Sequence, residues 1–161
     1  MMTKIKFRQL IIAVLLSTLP GLTFADHRPF NPDSIKQIEQ QYAGEPFLLV
    51  LWEINCFPCR EEMDLLGKLK QSHPDINLVF IATDDISKQP EIVDVLAQHR
   101  LADIDSWIFA DPNVERLRYS IDPEWFGELP RNYFYDTDSS RIGFSGKLAE
   151  EVMEEWLKNS Y

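Results

Sequence analysis

The chain has 161 residues, and its 26 acidic side chains outnumber 16 basic ones for a formal charge of −10. That balance argues against nucleic acid as a partner, which demands clustered Lys and Arg. The length allows one domain with a real core, and the sequence holds no internal repeat, low-complexity tract or long Gly/Ser linker.

Residues 1–25 have the three parts of a secretory signal. Lys4, Lys6 and Arg8 come first, an apolar run from Leu10 to Leu16 resumes at Leu19, and a small-residue end closes at Ala25. Pro20 interrupts the run after about ten residues, short of the roughly 20 that span a bilayer. Cleavage after Ala25 and a periplasmic or otherwise exported location are expected. The alternative is an uncleaved anchor, the one route to a membrane tether. Residues 26–44 are expected to hold an N-terminal arm, loose over "DHRPFNPD" (26–33), and a short helix near Ser34–Tyr42. The folded domain is expected over 45–161.

"PFLLVLW" (46–52) is almost wholly apolar, as in a strand covered on both faces. From Phe57 to Gln71 the pattern is helical, with Met63, Leu66 and Leu69 at three-residue spacing and Lys68 and Lys70 near the end. "INLVFIAT" (76–83) is a second buried strand. "QPEIVDVLAQHRL" (89–101) is a helix with proline in its first turn. "SWIFAD" (106–111) is a third strand and "PNVERLRYSI" (112–121) a short helix. The loop "DPEWFGELP" leads to a hairpin of "RNYFYD" (131–136) and "RIGFSG" (141–146). A last helix is expected over 147–159. This order implies a single α/β domain, a central mixed β-sheet with helices on both faces.

Both cysteines lie in "LWEINCFPCREEMD" (51–64), where the first strand runs into the first long helix. Two thiols at this spacing can do redox chemistry, hold a metal or form a staple. A staple closing only Phe57 and Pro58 contributes little, because the stabilisation grows with the loop enclosed. At a helix N-terminus the free N–H groups and positive dipole end favour a thiolate, which is the nucleophile. Asn55 is a candidate cap for that helix. Pro58 stiffens its first turn with no N–H to lose.

"LWEINCFPCREEM", "INLVFIATDD" and "GELPRNYFYD" together resemble the TlpA/ResA-like branch of exported thiol–disulfide oxidoreductases, which have the thioredoxin fold. The resemblance covers most of residues 45–158. It implies that Cys56 is the attacking thiol and Cys59 the resolving one, and that Pro130 is a cis proline lying against the dithiol. Leu129 would then offer its backbone to an extended substrate segment. Phe57, Pro58 and Trp125 complete the candidate substrate surface. Glu62 matches the family's acid near the dithiol, which assists proton transfer to and from the resolving cysteine. Glu53 is a lesser candidate for that role. Two positions depart from the pattern: Asn55 replaces the usual aromatic before the first cysteine, and Asp64 replaces a proline.

The resemblance implies protein thiols and disulfides as substrates, no cofactor beyond the Cys56–Cys59 pair, electrons from a membrane thiol relay, and clients such as apocytochrome c. The uncharged Phe57–Pro58 pair fits a reducing rather than an oxidising couple. Two other functions stand beside this one. A Cu(I)-binding metallochaperone is possible for a dithiol, but His27, His73 and His99 are expected at the surface and no metal site is expected. A non-catalytic binding module would not need the intact C-x-P-C.

Overall fold

The computed structural model describes residues 27–161, so the signal-like segment and its cleavage site lie outside it. Among the described residues six strands and five α-helices follow one another. They are β1 (His27–Phe30), α1 (Ser34–Gln41), β2 (Phe47–Trp52), α2 (Phe57–Ser72), β3 (Leu78–Asp85), α3 (Gln89–Gln98), β4 (Asp105–Phe109), α4 (Val114–Ile121), β5 (Arg131–Tyr135), β6 (Arg141–Ser145) and α5 (Glu150–Ser160). They build one mixed sheet in the order β1-β4-β3-β2-β5-β6. The four strands from β1 to β2 are mutually parallel, and β5 and β6 are antiparallel additions.

Right-handed crossovers decide where the helices go. The path β2→β3→β4 steps in one direction, so α2 and α3 cover the same face. The step from β1 to β2 runs the other way and puts α1 on the opposite face. Side-chain alternation follows. Leu48, Val50 and Trp52 of β2 join Met63 and Leu66 of α2, Ile92 and Leu96 of α3 and Met153 of α5 in one core. Phe47, Leu49 and Leu51 join Ile35 and Ile38 of α1 and Leu117 and Ile121 of α4 in the other. Every residue of β2 is buried, which explains its unbroken apolar sequence.

Residues 27–30 are not a loose arm. They pair in parallel with β4, His27 opposite Ser106 and Phe30 opposite Phe109, and cover an edge that would otherwise present free backbone groups. Arg28 holds the strand from its side chain, ion-paired with Asp105 and stacked 4.0 Å from the Trp107 ring centroid. The alternation "HRPF" is too short to be told from a tail without its partner strand.

Three helix ends differ from expectation for local reasons. α3 stops at Gln98 because Arg100 turns left-handed (φ 63), letting Leu101 N–H bond the Leu96 carbonyl and Arg100 N–H that of Ala97. In α4 the cap is Asn113, whose side chain accepts from Arg116 N–H, so Pro112 stands outside the helix. α5 begins at Glu150, after an extended Ala149.

The dithiol helix α2 is seated by a close approach to α3. Gly67 is buried in α2, and a Cβ there would lie 2.0 Å from the His99 carbonyl oxygen, far inside van der Waals contact distance. His99 itself is buried rather than at the surface, its Nδ1 2.8 Å from Asp64 Oδ1 of α2. Gly67→Ala is expected to cost about 2 kcal/mol or more of stability, because backbone rather than a flexible side chain must yield. Urea unfolding of the oxidised protein measures the loss.

Candidate active site

β2 ends at Trp52, and a turn closed by Cys56 N–H on the Glu53 carbonyl delivers the chain to α2. Asp84 at the end of the neighbouring β3 fixes that turn. Its Oδ2 accepts from Ile54 N–H at 2.8 Å, and its Oδ1 pairs with Lys88 at 2.9 Å. The turn is therefore held from the sheet side by a buried carboxylate whose second oxygen is neutralised.

The cap of α2 is Cys56 and not Asn55. Cys56 has extended backbone (φ −87, ψ 101), and its Sγ accepts from Cys59 N–H at 3.2 Å. Asn55 is exposed in the turn before it. The position that the sequence pattern assigns to a capping amide is one residue early, because the sulfur itself occupies the cap. This arrangement points a helix N–H at the Cys56 sulfur, a donor that favours negative charge there.

Cys56 and Cys59 form a disulfide. Both are buried, Cys56 less deeply than Cys59. Phe57 between them is 72% exposed and forms an apolar lip beside the bond; Pro58 is exposed beside it.

Glu62 lies one turn beyond Cys59 on the same helix face and is 0% exposed. Its Oε2 accepts from Leu148 N–H at 2.7 Å and from Asn132 Nδ2 at 3.2 Å. Its Oε1 is buried with no hydrogen-bond partner. Burial pushes the carboxyl up to about 7, against the opposing pull of the Leu148 N–H, the Asn132 amide and the Lys147 charge. A carboxyl so placed exchanges a proton near neutral pH, as a base for a neighbouring thiol must. Glu53, the other acid considered, is only half-buried at the turn.

The Leu129–Pro130 peptide is cis. Arg131 stands opposite Leu51 in the β2–β5 register, so Pro130 falls beside the carboxyl end of β2, where the dithiol turn begins. Pro130 is buried, and its carbonyl accepts from Gly146 N–H at 2.9 Å. Among the described residues no hydrogen bond takes up the N–H or C=O of Leu129. Trp125 is not part of an open surface. It is buried in the α1–α4 core and donates its indole N–H to the Glu128 carbonyl at 2.9 Å. The neighbouring Phe126, 87% exposed, is the aromatic that this loop presents to solvent.

Sequence reading missed Asp84, Asn132 and the Leu148 N–H. For Asn132 a signal exists: it is the polar residue of "RNYFY" at a position whose alternate, Phe134, packs on the α2 side. Among the described residues no group of three or more His, Cys, Asp or Glu could hold a metal ion, and no helix is long and apolar enough to cross a membrane.

No family model and no curated protein matches the chain. Solved structures do. A secreted disulfide oxidoreductase of Mycobacterium tuberculosis homologous to E. coli DsbE superposes with TM-score 0.60 at 16% identity, covering 74% of this chain and 85% of its own. A thioredoxin-family thiol:disulfide interchange protein from Chlorobium tepidum gives 0.60 at 17%, covering 76% and 83%. StoA from Bacillus subtilis gives 0.52 at 18%, covering 71% and 84%. These likenesses establish the thioredoxin fold for the described chain.

The buried acid has a measurable consequence for stability. Below pH ~4.5 Glu62 is protonated in both folded and unfolded chains. As pH rises, the unfolded chain releases its proton first, so stability falls until the native carboxyl ionises near 7. The loss amounts to roughly 3 kcal/mol. Glu62→Gln is expected to lack this slope, so its stability relative to the native sequence grows by that amount between pH 4 and pH 8. Urea unfolding of both oxidised proteins across the range measures it.

Proposed function

We propose that this protein is an exported thiol–disulfide oxidoreductase that reduces disulfides in other proteins. The observation that carries the reading is the Cys56–Cys59 pair at the start of α2, with Cys56 Sγ as the helix cap. In the reduced enzyme Cys56 is the thiolate that attacks a substrate disulfide. One substrate sulfur leaves and a mixed disulfide forms. Cys59 then loses its proton to Glu62 and attacks Cys56 Sγ, which regenerates the internal disulfide and releases the second substrate thiol. Two electrons pass from the dithiol to the substrate.

The open backbone of Leu129 beside Pro130 suits an extended substrate segment added as a short strand, with Phe57 and Phe126 as apolar contacts. The uncharged Phe57–Pro58 pair favours the reducing direction. A reductant working in an oxidising compartment needs recharging, and a membrane thiol relay supplies that need; apocytochrome c is the kind of client the resemblance implies. The sequence of residues 1–25 and the secreted neighbour from M. tuberculosis support export.

Insulin reduction tests the reading. The native protein is expected to turn over, Cys56→Ala to be inactive, and Cys59→Ala to accumulate mixed disulfide. Glu62→Gln is expected to slow release from the mixed disulfide by roughly 100-fold at pH 7 and to lose the pH dependence centred near 7. No turnover by the native protein overturns the assignment. Equilibration against dithiothreitol buffers fixes the direction, and a potential near −120 mV, the oxidising end of the range for this chemistry, overturns the reductase reading.

A further inference from the structure

Glu62 is held asymmetrically. Both of its hydrogen bonds fall on Oε2, one from the Leu148 backbone and one from the Asn132 amide. Oε1 has none. Asn132 is itself 0% exposed. On β5 it alternates with Tyr133, which enters the opposite core, so the Asn132 side chain faces α2. Its Nδ2 also reaches the Gly146 carbonyl at 3.4 Å, at the end of the turn whose next residues are Lys147 and Leu148. The amide therefore has two acceptors on its nitrogen side. Turning it over would set Oδ1 against an anionic carboxylate oxygen and a carbonyl, a costly pairing of buried acceptors.

We propose that Asn132 is the positioning residue of the proton-transfer step: its amide occupies Oε2, so that Oε1 takes and gives the proton. The inference rests on the proposed base role of Glu62. In the resolving step the Cys59 S–H bond breaks and an O–H bond forms at Oε1. The Cys59 thiolate bonds to Cys56 Sγ, and the substrate sulfur leaves with the electron pair. Oε2 keeps both donors throughout. Oε1 is the carboxyl oxygen with no hydrogen-bond partner and so the one free to take a proton. The charged group acting on Glu62 is Lys147 of the turn, itself paired with Glu61 of α2 at 3.0 Å. β5 contributes only the neutral amide and Phe134, and α5 contributes Met153.

The test reads the Glu62 carboxyl directly, by carbon NMR titration of the oxidised full chain. Removal of a donor from the ionised form raises its midpoint. Asn132→Ala is expected to raise it by about one pH unit, a tenfold weaker acid. Asn132→Asp, nearly the same shape and unable to donate when ionised, is expected to raise it further and to give two coupled steps. Thermal unfolding confirms that each variant is folded, and Asn132→Asp serves if the smaller side chain is not tolerated. A midpoint unchanged in the folded variants overturns the assignment and leaves Asn132 a packing residue. The rate of mixed-disulfide release against pH separates the two ideas. If the titration moves and the release profile moves with it, both stand. If the titration moves while Glu62→Gln leaves the release profile untouched, Asn132 still positions the carboxyl, and the base role of Glu62 is what fails.

Discussion

A carboxyl group with no exposure to water governs how this molecule is put together. Glu62 sits on α2, and its accepted bonds come from β5 and from the turn that leads into α5. Three segments separated by up to 86 residues meet on one oxygen atom. Burying such a group costs free energy unless donors are supplied, and more if it must ionise. The turn 146–148 has its shape because it supplies one. Gly146 runs at φ 98, Lys147 reaches out to Glu61, and Leu148 directs its N–H inward. α5 starts only after that obligation is met.

The dithiol depends on the same frame. The turn before Cys56 is fastened by Asp84 from β3, and α2 is pressed against α3 where Gly67 leaves room for the His99 carbonyl. Cys56 is thus located by a close helix–helix approach on one side and by the buried Asp84 carboxylate on the other. Neither involves the exposed Phe57 and Pro58 beside the disulfide. Asn55 stands exposed in the turn and takes no part in this anchoring, while the sulfur holds the helix cap.

Much of this was legible before any coordinates. The uninterrupted apolar run 47–52 announces a strand buried on both faces, and the spacing of Met63, Leu66 and Leu69 announces the helix that follows. Cys56, Cys59 and Glu62 are conspicuous because their spacing has a chemical meaning within one helix. What stayed hidden depends on partners distant in sequence. Asn132 gains its role from a carboxylate 70 residues earlier, and no local pattern links them. Asn55 looks like a cap because asparagine commonly is one, yet a sulfur one position on takes that place. Trp125 looks like a loop aromatic available to ligands until Glu128 accepts its indole N–H and the second core closes over it. His99 reads as a helix-end cation, but the helix end is the point where α2 and α3 touch.

The short strand β1 carries a consequence for the order in which the chain assembles. His27 pairs with Ser106, 79 positions further along the chain. A polypeptide emerges amino end first, so these residues are made early and must wait until β4 has been made before they can dock. Closing so long a loop is entropically slow relative to the local pairings of β2, β3 and β4. Until it closes, β4 is an open sheet edge, with its backbone groups available to any other extended chain nearby. By this topology an early-made strand depends on a late-made one for its only place in the sheet.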